Sequence, residues 1–172
     1  MKTIERTEIF NAMPEQVFKC IDDLGVSGMH MTKSSMMMMG SKLNLEYLTE
    51  KHAGPGTKYR WMGKMMGMPM DFTVEVTKWI AGKEKIWETI DNPKMIIYSW
   101  HQMHLITTPM YNNGTEAELS ISYEKPKGFF YKILSFLFAD WYCNWCLNRM
   151  LDDVKLTIEL PVINNQLLTN KI

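Results

Sequence analysis

Met70, Phe72, Val74 and Val76 alternate with Asp71, Thr73, Glu75 and Thr77. A period of two predicts a β-strand with one buried and one wet face. The same rule places Leu43, Leu45 and Tyr47 on one face of a strand starting near Lys42, and Ala117, Leu119, Ile121 and Tyr123 on the inner face of the last strand. Shorter stretches at Ile4 to Phe10, Thr57 to Met62 and Lys85 to Ile90 read as strands too. Met95 to Ile106 does not alternate, so that strand is expected to be covered on more than one side. Turn chemistry separates these elements: Gly54-Pro55-Gly56, Ala81-Gly82-Lys83, Asp91-Asn92-Pro93 and the loop Pro109 to Gly114. Seven strands joined by turns make an antiparallel sheet.

After the first strand the period changes. Asn11 is placed to cap a helix and Pro14 suits its first turn, while Val17, Phe18, Ile21 and Leu24 follow at helical spacing up to Gly25. Residues 25–40 then predict a second short helix or turn. A long helix is predicted from Phe129 to Leu160, ended by Pro161, with a tail over 161–172 that lacks periodicity. Phe129, Ile133, Phe136, Cys143, Leu147, Met150, Leu151, Val154 and Ile158 form an apolar seam expected to lie on the sheet. Phe130, Leu134, Leu137, Phe138, Trp141 and Trp145 form a second stripe, which needs a partner of its own. The class is α+β, with one domain at 1–160.

Composition narrows the function. The 172 residues are 46% hydrophobic and 22% charged, which excludes a disordered chain or a disulfide scaffold. Nineteen basic residues balance nineteen acidic ones, so no general footprint for nucleic acid exists. No apolar leader follows Met1, and three cysteines are an odd number, which together predict a cytoplasmic protein. Lys132, Asp140 and Arg149 interrupt the long helix, which argues against stable membrane insertion. The 17 methionines are the outlier; runs at Met36 to Met39 and Met62 to Met70 suggest an adaptable apolar site or gate.

Ile9-Phe10-Asn11-Ala12-Met13-Pro14-Glu15-Gln16-Val17-Phe18, Gly54-Pro55-Gly56-Thr57-Lys58-Tyr59-Arg60-Trp61 and Phe72-Thr73-Val74-Glu75-Val76-Thr77-Lys78-Trp79 occur in the order found in one group of proteins. The chain resembles the START-related lipid-transfer (SRPBCC) superfamily, particularly its bacterial polyketide cyclase/dehydrase-like members. The resemblance implies a helix-grip fold: a curved seven-stranded antiparallel sheet around a long C-terminal helix, with two short helices after the first strand. It also implies a cavity between sheet and helix for a small hydrophobic or lipid-like ligand.

The residues expected to line that cavity are Met36, Met38, Tyr59, Trp61, Met70, Phe72, Trp87, Trp100, Tyr123, Cys143 and Leu147. A cyclase, dehydratase or hydrolase using the same pocket would rely on His101 or His104 with Tyr98 or a carboxylate, and His30 is a further candidate base. His101 and His104 stand three apart on one strand and so face opposite ways, which argues against a shared metal. Cys143-Asn144-Trp145-Cys146 falls inside the long helix rather than at its N-terminus, the wrong place for a redox pair. No nucleotide-binding, hydrolase or zinc-protease motif is present, and no cofactor is predicted. A third reading makes the aromatic stripe of the long helix a protein-interaction face, including a homodimer.

Overall fold

A computed structural model describes residues 1–32, 42–65, 68–91, 93–95, 97–111, 113–126 and 128–169, without the side chains of 65, 68, 129–130 and 160–169. β1 (Lys2–Phe10) leads into α1 (Pro14–Asp22), α2 (Leu24–Ser27) and α3 (Met29–Thr32). Strands β2 (Leu43–Tyr47), β3 (Lys58–Met65), β4 (Met68–Ile80), β5 (Glu84–Thr89), β6 (Trp100–Pro109) and β7 (Thr115–Glu124) precede the long helix α4 (Phe129–Thr169). The sheet has seven strands in the order β1-β7-β6-β5-β4-β3-β2. All its neighbouring pairs are antiparallel.

The alternating residues take the predicted sides. Met70, Phe72, Val74 and Val76 of β4 and Ala117, Leu119, Ile121 and Tyr123 of β7 are buried in the core. A register shift between Val76 and Lys78 interrupts the β4–β5 ladder, the kind of irregularity that bends and twists a strand. α4 packs against β1 and β7 and is flanked by α1, α2 and α3. Ion pairs fasten it to β1, Lys2 Nζ to Asp140 and Lys155 Nζ 2.5 Å from Glu8 Oε1, and the Tyr123 hydroxyl of β7 donates to Asp140.

The helical segment after β1 has three parts where two were expected. Pro14 opens α1, but Met13 rather than Asn11 stands at the N-cap, with no side-chain cap bond. The helix ends at Asp22, and the Asp23 carboxylate accepts the Gly25 N–H at 2.8 Å to start α2. Gly25 is therefore inside the next turn.

β6 begins at Trp100, five residues later than expected, because the chain before it pairs differently: Lys94 bridges Asp71 of β4, and Ile97 and Tyr98 are both buried. The seam of α4 is also out of phase in its first turns. Ser135 and Ala139 point inward there, while Ile133 and Phe136 are exposed. Small residues let the helix approach the sheet where large ones would hold it away. From Cys143 onward the predicted seam is buried as expected, through Leu147, Met150, Leu151, Val154 and Ile158. Pro161 does not end α4, which continues to Thr169; its missing N–H removes one bond from a helix whose preceding turns are held in the core by Val154 and Ile158.

Candidate functional site

Inner-face side chains of the sheet and the helices opposite enclose a cavity of about 60 Å³. Strand residues two apart point the same way, so β3 supplies Tyr59 and Trp61, β4 Phe72 and Val74, and β6 His101 and Met103. Trp87 of β5 and Ile121 of β7 complete the sheet wall. Tyr142, Cys146 and Met150 of α4, each four residues apart, form part of the opposite wall. α2 and α3 close it with Leu24, Ser27, His30 and Met31, and Tyr98 enters from the segment before β6. An apolar cavity of roughly 150 Å³ holds benzene. A ligand of that size therefore requires side chains to move, and Met31, Met103 and Met150 are unbranched enough to do so.

The wall is apolar with a few polar groups, and these form a row. The His101 and Tyr98 rings lie 5.2 Å apart, Tyr98 and Tyr142 6.4 Å, Tyr142 and Trp145 5.9 Å, and Trp145 and His30 5.5 Å between centroids. Two histidines thus terminate a file of three larger rings. His101 Nδ1 is 2.8 Å from Thr89 Oγ1, and Phe72 meets the same imidazole edge-on at 5.4 Å. With no charged partner to offset its burial, the ring is pushed down to about 4, so it is neutral at pH 7. Burial drives the Tyr59, Tyr98 and Tyr142 phenols well up, so all three keep their protons. His30 sits beside a carboxylate: its Nδ1 is 3.4 Å from Asp153 Oδ2, which also accepts the His30 backbone N–H at 3.2 Å.

Among solved structures, a Thermus thermophilus protein superposes with a TM-score of 0.69 at 16% identity, covering 93% of this chain and 99% of its own. The ZhuI aromatase/cyclase of a Streptomyces species gives 0.64 at 11% identity, covering 90% of this chain and 94% of the enzyme. Norcoclaurine synthase from Thalictrum flavum gives 0.63 at 16% identity, covering 91% and 92%. The chain has the helix-grip fold. No family model matches the sequence, and neither does any curated protein.

This helix-grip fold places the expected site residues unevenly. Tyr59, Trp61, Phe72 and Trp87 line the cavity, together with Tyr98 and His101. Met70, Tyr123, Cys143 and Leu147 are buried but stand outside the lining; Tyr123 donates its hydroxyl to Asp140, and Cys143 and Leu147 sit one position round the helix from Tyr142 and Cys146. Trp100 is a correction: because His101 faces in, its strand neighbour faces out and is only partly buried. His104 is another, lying on the outer face with Nε2 3.0 Å from Glu84 Oε1. Met36 and Met38 lie outside the described residues.

Ser27, Tyr142, Cys146 and Met150 line the cavity without having been singled out for it. The last three carried a signal in their i, i+4, i+8 spacing. His30, named above only for its chemistry, lines it too, although a four-residue α3 has no periodicity to mark which way it faces. Cys143 and Cys146 are free thiols, buried on the helix, and desolvation pushes Cys146 up to about 12 and Cys143 higher still, which leaves no thiolate for redox work. Among the described residues no group of three His, Cys, Asp or Glu could hold a metal ion, and no helix is long and apolar enough to cross a membrane.

Proposed function

We propose that this chain binds a small hydrophobic ligand in the cavity between the sheet and α4. The observation that carries the reading is a space left unfilled among buried Trp, Tyr, Phe and Met side chains between the sheet and the helices. Two of the similar structures are an aromatase/cyclase and a norcoclaurine synthase, whose names are consistent with ring-bearing ligands in this fold. Apolar burial contributes roughly 25 cal/mol per Å² removed from water, before the costs of association. A cyclase or dehydratase would use the same cavity, with His101 and Tyr98 as its polar pair.

Native mass spectrometry of the purified protein, beside organic extraction of the same sample, tests this reading. A co-purifying apolar molecule of defined mass is expected, lost in Trp61→Ala and retained in Trp100→Ala, because only Trp61 touches the cavity. Equal retention in both folded variants counts against the assigned wall.

A second reading rests on the first turns of α4. Phe136 is 74% exposed, and Tyr131, Ile133, Leu137, Phe138 and Trp141 are exposed beside it, a larger apolar face than isolated surface residues make. Lys125 Nζ lies 5.5 Å over the Phe136 ring at its edge. We propose self-association through this face. Light scattering behind size exclusion should show a dimer that Phe136→Glu converts to monomer; a monomeric wild-type protein at high concentration excludes it.

A further inference from the structure

His30 is the least satisfied polar side chain on the cavity wall. Its side chain is 4% exposed, yet neither ring nitrogen has a hydrogen-bond partner among the described residues. Buried polar atoms are nearly always paired, and one left unpaired is costly. The contact of Nδ1 with Asp153 Oδ2, at 3.4 Å, is electrostatic and lacks the alignment of a hydrogen bond. Its consequence is chemical: in the neutral imidazole, a carboxylate beside Nδ1 favours the proton on that nitrogen and leaves Nε2 as the lone-pair acceptor.

The ring is also fixed in place. Trp145 packs edge-on against it, and the backbone N–H of His30 is tied to the same Asp153 oxygen. Swinging the ring away to find another partner would give up its contacts with Trp145 and the Asp153 carboxylate. Among the described residues no donor reaches Nε2.

We infer that the cavity's ligand is a small apolar molecule bearing a hydroxyl group, and that this hydroxyl donates to His30 Nε2 while Asp153 positions the ring. The inference rests on the cavity-binding reading above and specifies the chemistry of its ligand. The ligand's apolar body lies along Tyr98 and Tyr142, whose rings separate the two histidines. His30 is a binding residue here, and Asp153 is a positioning residue.

Phenol and toluene test it, since they share a ring and nearly a shape and differ in one hydroxyl against one methyl. An apolar cavity without an acceptor prefers toluene, because phenol surrenders its bond to water on entry. By isothermal titration calorimetry, wild-type protein should bind phenol at least tenfold more tightly than toluene. His30→Phe, which keeps a ring against Trp145, should reverse the order. Asp153→Asn, which keeps an acceptor for the His30 backbone N–H, should weaken phenol several-fold and leave toluene unchanged, and it carries the test should His30→Phe not fold.

If the wild-type protein binds toluene as tightly as phenol, the hydroxyl proposal falls and the cavity reading stands. If it binds neither, both fall. If phenol is preferred and both variants keep that preference, the acceptor is another residue and the assignment to His30 is overturned.

Discussion

Lys85 Nζ stands 2.6 Å from Asp22 Oδ1, with the lysine side chain 3% exposed. The pair joins the inner face of β5 to the last residue of α1. Trp79 Nε1 donates to the other carboxylate oxygen at 3.0 Å, and the ammonium lies 4.8 Å from the Trp87 ring centroid. Trp87 is itself a cavity wall, so the ion pair braces the site from behind. Burial pulls the Lys85 ammonium below its ordinary range, and Asp22 works against that shift. Removing one partner leaves a buried charge without compensation, whereas removing both does not. Asp22→Leu should cost about 3–5 kcal/mol in urea unfolding. The double variant Asp22→Leu, Lys85→Met should cost less than that single change; a strictly additive result would show that the two groups do not act as a pair.

Gly28 and Trp61 set the width of the cavity where the helices cross the sheet. A Cβ placed on Gly28 would lie 2.6 Å from the Leu24 carbonyl oxygen and 2.9 Å from the edge of the Trp61 indole. Neither distance is tolerable. The carbonyl is backbone and already accepts the Gly28 N–H at 3.0 Å, and Trp61 is almost wholly buried. Gly28→Ala should therefore cost about 1–3 kcal/mol through overpacking and reduce the uptake of any apolar probe. Thermal unfolding and calorimetry with toluene read the two effects separately. Unchanged stability would mean that α2 and α3 can shift away from the sheet.

The sheet was legible in the sequence because most of its strands are wet on one side, and alternation fixes which residues face in. Trp100 shows where that signal fails. The run from Met95 to Ile106 is mixed on both faces, so nothing in it marks the register, and a one-residue error exchanges Trp100 for His101. α4 fails for a related reason. Its first turns are apolar on every side, and the inward positions turn out to be Ser135 and Ala139, which no hydrophobic count would choose. Later, where the exposed Asp152 and Glu159 mark the wet side, the seam is correctly phased. His30 belongs to a third category: a four-residue helix has no periodicity, and its place beside Asp153 depends on contacts 123 residues apart.

His101 makes stability depend on pH in a direction that burial alone determines. In the unfolded chain an imidazole titrates near 6.5, while in the native protein desolvation holds His101 at about 4. Between those values the unfolded chain carries a proton that the native one refuses, so acid favours unfolding. The contribution is fully present above about pH 6.5 and is lost as the pH falls, the loss reaching about 3 kcal/mol by pH 4. Carboxylates add their own losses at acid pH, since Arg60 holds Asp71 low, Lys78 holds Glu84 low and Lys2 holds Asp140 low. The comparison that isolates His101 is therefore wild type against His101→Phe, which retains the edge contacts with Phe72 and Tyr98 but cannot titrate. Urea unfolding from pH 7 to pH 4.5 should show a shallower loss for the variant, by up to one proton in slope. Imidazole NMR shifts should find the wild-type His101 ring neutral at pH 5.5; a ring already protonated there would mean that water or a counter-charge reaches it, and that the cavity is wetter than its walls imply.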